Sequence, residues 1–223
     1  MKIMCFTYRD WAKKIYSNLD NEFKGSIDFI HINSKDEYSE ETINKENPDL
    51  ILWYGWSWII PSSITNNFFS VMLHPSPLPK YRGGSPIQNQ IINGETQSAV
   101  SLFKIDEGMD TGDIIYQKSF SLLGDLDDIL QRITKIGTEL SINMIKNFEV
   151  LELEQQNHNI SSSFKRRKPS QSKINHEDFE NFTATELYNK IRALQDPYPN
   201  AFIECKDGTK LYLTKAHIND SKK

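Results

Sequence analysis

The residues of this chain that could do chemistry gather in two loops. One begins at His74 and runs His-Pro-Ser-Pro-Leu-Pro-Lys-Tyr-Arg-Gly-Gly-Ser-Pro to Pro86. Its four prolines fix φ and remove backbone donors, and its two glycines let the chain turn sharply, so it cannot be regular structure. A long, stiff loop directly after a core strand is unfavourable unless it holds something. The other loop is Asp106-Glu107-Gly108-Met109-Asp110-Thr111-Gly112-Asp113, with four carboxylates and two glycines. An imidazole and a set of carboxylates are groups that hold charge and move protons. Commoner chemistries are absent from the sequence. There is no GxxxxGK[ST] loop for phosphates and no GxSxG elbow for a serine nucleophile. The first strand runs into Tyr8-Arg9-Asp10 without glycines, which argues against a dinucleotide fingerprint. No histidine pair has metal-ligand spacing.

The elements that must position these loops alternate in type. Residues 2–7 and 27–32 are rich in β-branched and aromatic residues and read as strands. Between them Trp11, Ile15 and Leu19 recur at helical spacing, as do Ala12 and Tyr16. Residues 49–54 read as a buried strand, and 70–73 as another that ends at His74. Strand–helix–strand order implies a parallel sheet with helices on its faces. Ligands of such sheets bind beyond the carboxyl ends of the strands, where His74 falls. A short helix over 87–93 ends at Gly94, and a strand over 99–105 is expected to pair antiparallel with 114–120. Ile129, Ile133, Ile136, Leu140, Met144, Phe148 and Leu151 step by three or four, which predicts one long amphipathic helix over 126–154. Residues 157–173 are polar and basic and read as a linker, its Lys165-Arg166-Arg167-Lys168 run a solvated connector. Thr183 is a plausible cap for a helix carrying Glu186, and Lys206-Asp207-Gly208-Thr209 makes a good hairpin turn. Two parts are expected: a main domain over 1–155, then a linker and small helix-hairpin subdomain over 156–223.

Composition narrows the class. The formal charge of −4 makes a poor polyanion binder. No secretory signal is visible at the start, and the densest apolar run, 50–61, is far short of the roughly 20 residues that span a bilayer. Cys5 and Cys205 are lone cysteines, which fits a reducing cytoplasm rather than a disulfide scaffold.

The two loops together carry a resemblance. His74-Pro75-Ser76-x-Leu78-Pro79-x-Tyr81-Arg82-Gly83, followed by Asp110-Thr111-Gly112-Asp113, resembles the folate-dependent formyltransferases. That family includes methionyl-tRNA formyltransferase, glycinamide ribonucleotide transformylase and the sugar-nucleotide N-formyltransferases. The match continues in Gly55-Trp56-Ser57-Trp58-Ile59-Ile60-Pro61, similar to the segment lining the family's folate pocket. It continues further in Ile191-Arg192-Ala193-Leu194 and Pro197-Tyr198-Pro199-x-Ala201-Phe202, which resemble an element of the sugar-modifying members. The resemblance implies an α/β, Rossmann-like formyltransferase fold: a central, mostly parallel sheet flanked by helices, plus a small C-terminal α/β appendage. It implies transfer of a formyl group from the co-substrate 10-formyltetrahydrofolate to a primary amine, with no metal. The amine attacks the formyl carbon and leaves a tetrahedral oxyanion, which preorganised donors must stabilise.

By the same resemblance His74 is expected to donate to the oxyanion. Asp110 is expected to hold that imidazole and help take up the amine proton. A carboxylate beside the ring favours its charged form. Tyr54, Gly55, Trp56, Ser57 and Trp58, with Asp106 and Gly108, are the expected folate contacts, largely through backbone, Asp106 also serving its own turn. Ser76, Lys80, Tyr81, Arg82 and Gly83 are the expected substrate contacts, toward an anionic acceptor or the folate glutamate tail. One position departs from the pattern: Met72 stands where the family has asparagine, two residues before the histidine. A thioether cannot donate, and losing one oxyanion donor costs about 10²–10³ in rate in other acyl-transfer enzymes. Gln88, Asn89 or Gln90 is expected to replace it.

The tRNA-modifying members carry an additional C-terminal barrel domain, for which the tail here is short. The glycinamide ribonucleotide enzymes typically have Asp-Ala-Gly in the second loop. The expected acceptor is therefore a nucleotide-linked amino sugar, with no nucleic-acid or membrane partner, and the expected assembly a cytoplasmic homodimer. Two other readings stay open: a hydrolase that uses water as the nucleophile, and a non-catalytic folate- or sugar-binding homologue, motivated by Met72.

Overall fold

A computed structural model describes residues 1–219. In chain order its elements are β1 (Lys2–Phe6), α1 (Asp10–Glu22), β2 (Asp28–Ile32), α2 (Glu40–Glu46), β3 (Leu50–Tyr54), α3 (Ser62–Thr65) and β4 (Ser70–His74). A two-residue β5 (Arg82–Gly83) leads to α4 (Pro86–Ile92), β6 (Gln97–Lys104), β7 (Ile114–Ser121) and α5 (Leu126–Lys146). The remainder holds β8 (Ser163–Phe164), α6 (His176–Asn181), α7 (Ala184–Ala193), β9 (Ala201–Glu204) and β10 (Lys210–Leu213).

Six strands form one sheet in the order β2-β1-β3-β4-β6-β7. The first three pairings are parallel, as the alternation predicts, and β6–β7 is antiparallel, as the hairpin pattern predicts; β4–β6 is antiparallel as well, which the sequence pattern does not show. Every residue of β3, Leu-Ile-Leu-Trp-Tyr, is buried, because helices cover both faces of a central parallel strand. The period of two divides the core accordingly. Ile3, Cys5, Leu50, Leu52, Tyr54, Val71 and Leu73 pack with α1 and α5. Met4, Phe6, Ile51 and Trp53 pack with Ile43 of α2 and Ile64 of α3 on the other face. His74 and Met72 fall on this second face, two residues apart on β4. From β1 the chain moves to β2 on one side and returns to β3 on the other, so the crevice beyond β1 and β3 is a topological switch point.

α1 and α5 approach closely at Gly137, where a Cβ would stand 2.7 Å from both Ile15 Cδ1 and Leu73 Cδ1. Gly137→Leu should therefore overpack this seam by about 1–3 kcal/mol and lower Tm by about 2–4 °C per kcal/mol. Thermal unfolding followed by circular dichroism checks this; an unchanged Tm would show that the seam is slack.

The long helix stops earlier than its apolar spacing predicts. It ends at Lys146, a short 3-10 turn covers Phe148–Val150, and Glu154 pairs with Ile114 in an antiparallel bridge. The helical spacing at Phe148 and Leu151 persists because both fold back on the core, Phe148 edge-on to Phe69 at 5.3 Å. The edge strand β7 captures the backbone that would otherwise continue the helix.

Residues 157–173 are likewise not a free connector. β8 pairs in parallel with β5, so this segment lies against the loop that follows His74. Beyond it, Ile174, Leu194 and Ala201 make a small second core beneath the β9–β10 hairpin. Arg192 Nη1 donates to the carbonyls of Leu122 and Gly124 at 2.6 and 3.1 Å, fastening the C-terminal part to the start of α5. Among the described residues, no helix is long and apolar enough to cross a membrane.

Candidate active site

β4 carries His74 to the carboxyl edge of the sheet, where the ring is 5% exposed. The following loop curls back so that the Tyr81 carbonyl accepts from His74 Nε2 at 2.8 Å. That carbonyl makes Nε2 the protonated nitrogen and leaves Nδ1 as the ring atom facing the site. The loop is held by polar groups of its own and of the neighbouring α4 and β6. Ser76 Oγ donates to the Lys80 carbonyl, Ser101 Oγ to the Ser76 carbonyl, and Gln90 Nε2 to the Pro75 carbonyl, at 2.8, 2.7 and 2.9 Å.

The second loop brings the carboxylate. Asp106 Oδ1 accepts from the Gly108 N–H at 3.0 Å and from Thr111 Oγ1 at 2.6 Å, closing a turn. A Cβ at Gly112 would collide with the Lys104 carbonyl, so only glycine fits there. Between these constraints Asp110 takes a left-handed backbone, φ +55°, unusual outside glycine. Its Oδ2 accepts from the Gly83 N–H at 2.7 Å and stands 3.5 Å from His74 Nδ1. Oδ1 has no protein donor among the described residues. The pair is therefore a buried imidazole beside a carboxylate whose second oxygen is open, both clamped by backbone groups.

A third segment secures this arrangement. Gln156, 3% exposed, donates through Nε2 to the carbonyls of Asp110 and Gly112 at 3.0 and 2.7 Å. Its Oε1 accepts from Arg82 Nε and Nη2 at 3.1 and 2.6 Å, and Arg82 Nη2 also donates to His158 Nδ1 at 3.1 Å. Ser162 Oγ accepts from the Tyr81 N–H at 2.9 Å, and the Phe164 ring stacks on Tyr81 at 4.9 Å. Gly83 and Gly84 lie so close to Phe164 and Arg166 that a Cβ on either would meet backbone.

His74, Asp110 and Gly83 thus come together as the sequence predicts, but other expected contacts do not. Ser76, Tyr81 and Arg82 turn inward: Ser76 is fully buried, the Tyr81 hydroxyl donates to Glu95, and Arg82 is held by Gln156. They brace the loop instead of facing a substrate; Lys80 alone of the side chains is exposed. Tyr54 also faces the core, its hydroxyl on Ser141 and its N–H donating to Tyr16, so neither its side chain nor its N–H is free for a ligand. Trp56 is core, Ser57 pairs with Tyr8, and Trp58 is half-buried against Tyr8 and Trp56. Met72 packs into the Trp53 cluster and supplies no donor. Of the three amides expected to replace one, Gln90 is committed to Pro75 and Pro86, and Asn89 to the Gly84 carbonyl. Gln88 Nε2 is buried without a partner. Sequence reasoning missed Gln156 and Ser162; a hint lay in Arg82, since an arginine inside a stiff loop needs acceptors from elsewhere.

The structure is thus a doubly covered α/β sheet with a clamped histidine–aspartate pair at its carboxyl edge. The chain belongs to the formyl transferase family. The family's "Formyl transferase" model matches residues 20–145, and its "Formyl transferase, C-terminal domain" model matches 168–223. The methionyl-tRNA formyltransferase of Sulfurovum sp. (strain NBC37-1) is 32% identical over 187 residues, 82% of this chain and 59% of that protein. The chain thus spans somewhat under two thirds of the length of the curated relatives it matches. A solved structure titled methionyl-tRNA formyltransferase from Clostridium thermocellum superposes with a TM-score of 0.88 at 33% identity, covering 100% of this chain and 95% of that one. A 4-N formyltransferase from Francisella tularensis shares the fold, with a TM-score of 0.80 at 19% identity over 98% of both chains.

Proposed function

We propose that the chain transfers a formyl group from 10-formyltetrahydrofolate to a primary amine. The observation that carries this is the His74–Asp110 pair, 3.5 Å apart, with Asp110 clamped by the Gly83 N–H. The amine nitrogen forms a bond to the formyl carbon, and His74, in its imidazolium form with Nε2–H held by the Tyr81 carbonyl, donates from Nδ1 to the oxygen that becomes negative. Asp110, through its open Oδ1, takes the proton the amine nitrogen must lose. The formyl carbon–N10 bond then breaks and the proton passes to N10, so the enzyme ends unchanged. Trp58, half-buried, and Ile59, 96% exposed, form an apolar rim beyond β3, one strand from His74, which suits a pterin face.

The acceptor we propose is a nucleotide-linked amino sugar. The net charge of −4 supports a small phosphorylated acceptor over a polynucleotide. Aminoacylated tRNA is the second reading. It is favoured by the similarity to the methionyl-tRNA formyltransferase from Clostridium thermocellum, 95% of which this chain covers, so a short tail does not separate the acceptors. The test offers 10-formyltetrahydrofolate with a panel of nucleotide-linked 4-amino sugars and, separately, methionyl-tRNA, following folate release and acceptor mass. A formylated sugar supports the first reading and formylated methionyl-tRNA the second. Formate released without any formylated acceptor would sink both.

A further inference from the structure

At the carboxyl end of β1, Arg9 presents a cation without a counter-ion. Its guanidinium carbon stands 4.5 Å from the Tyr8 ring centroid and 4.9 Å from that of Tyr198, a residue of the C-terminal part. Its backbone N–H donates to Thr7 Oγ1, whereas its side chain meets no acceptor among the described residues. The nearest carboxylate in sequence, Asp10, points outward toward Lys13 at 3.4 Å. The stem of Arg9 is fixed from below by Gly55, φ +67°, where a Cβ would stand 2.9 Å from Arg9 Cγ.

Two more donors are unpartnered at the same place. Gln88 is 3% exposed and Trp11 7%, yet Gln88 Nε2 and Trp11 Nε1 each lack a hydrogen-bond partner. Both approach the Tyr198 hydroxyl closely, short of full hydrogen-bond geometry. Burial pushes the Tyr198 hydroxyl pKa up, while Arg9, Gln88 and Trp11 pull it back down, as donors gathered round one oxygen must. Buried N–H groups are rarely left without acceptors, and a planar guanidinium fork matches phosphate or carboxylate. Tyr8 joins this cluster to the expected folate segment through Ser57 and Trp58. In strand order β1, β3 and β4 are successive neighbours, so the cluster opens on the same sheet edge as His74.

We propose that Arg9, with Gln88 and Trp11 behind it and Tyr8 and Tyr198 as walls, binds an oxyanion of a substrate. The oxyanion is a phosphate of the acceptor or a carboxylate of the folate glutamate tail. The proposal rests on the reading of this edge as the formyl-transfer cleft, and it replaces Tyr81 and Arg82 as the expected anion contacts. Inorganic pyrophosphate and p-aminobenzoylglutamate are titrated calorimetrically into the full chain, with p-aminobenzamide as the uncharged control. The variants are Arg9→Gln, Arg9→Lys and Gln88→Leu, each checked for an unchanged Tm. Arg9→Gln should weaken one of the two anions about tenfold or more, with Arg9→Lys and Gln88→Leu intermediate. Loss on pyrophosphate assigns the site to the acceptor, and loss on p-aminobenzoylglutamate but not p-aminobenzamide assigns it to the folate. Equal binding of both anions by Arg9→Gln and the parent chain overturns the proposal. Failure of the functional reading would look different: anion binding would persist in a chain that formylates no acceptor.

Discussion

His74→Ala is expected to lower formyl transfer by about 10²–10³, the loss that follows removal of one oxyanion donor elsewhere. Asp110→Asn should do comparable damage by a separate route. An asparagine can still accept from the Gly83 N–H, so the loop that now holds Asp110 Oδ2 at 2.7 Å should keep its shape. What it loses is the charge beside His74 and, in the proposed mechanism, the oxygen that takes the amine proton. Because both side chains serve one transition state, the double variant should be scarcely slower than either single one. The measurement is kcat and KM with the acceptor found in the panel, alongside a Tm for each variant. Turnover by His74→Ala within a few-fold of the parent would remove the histidine from the mechanism. Met72 sharpens the expectation. With a thioether where a second donor is expected, His74 has no side-chain colleague on its strand to share the oxyanion.

Gln156→Leu should be the most damaging change outside the pair. Its amide makes four hydrogen bonds, two to loop carbonyls and two from Arg82, three of them buried and the one to Asp110 partly so. Leucine leaves a buried guanidinium and two carbonyls short of partners, a loss of about 3 kcal/mol or more. For a chain of this size that lowers Tm by roughly 6–12 °C. The effect on rate is separable from this. Gln156→Glu still accepts from Arg82 but cannot donate to Asp110 and Gly112. It should recover part of the Tm while kcat stays at least about tenfold down, with KM little changed. If Gln156→Glu restores stability and kcat together, Gln156 supports the fold and does not position Asp110.

The legible and illegible parts of the chain differ in range of interaction. β1, β3 and β4 show themselves because each is a local run of apolar residues, and His74 because stiff residues follow it immediately. The hairpin of β6 and β7 is likewise a near-neighbour pattern. Phe148 and Leu151 mislead because helical spacing is shared by a helix and by a chain folding back on the same core. Arg82 and Gln156 meet across 74 positions, and nothing in the local composition of 156–167 announces that partner. The same holds for Ser76, Tyr81 and Arg82. Their types suit a surface loop reaching for an anion, and only the closeness of β8 to β5 turns them inward. Arg9 was visible only as a missing glycine, since its aromatic walls come from Tyr8 and from Tyr198 near the other end of the chain.

The β5–β8 pairing also bears on how such a protein can be cut and recombined. The two family modules match 20–145 and 168–223, and the interval between them looks dispensable. It contains Gln156, Ser162 and Phe164, which buttress the loops of the first module. A chimera that takes its C-terminal module from another family member should therefore be joined near residue 168, with the interval inherited from the parent of the N-terminal module. A junction near 155 would graft a foreign buttress onto loops whose glycines, Gly83 and Gly84, are shaped to this one.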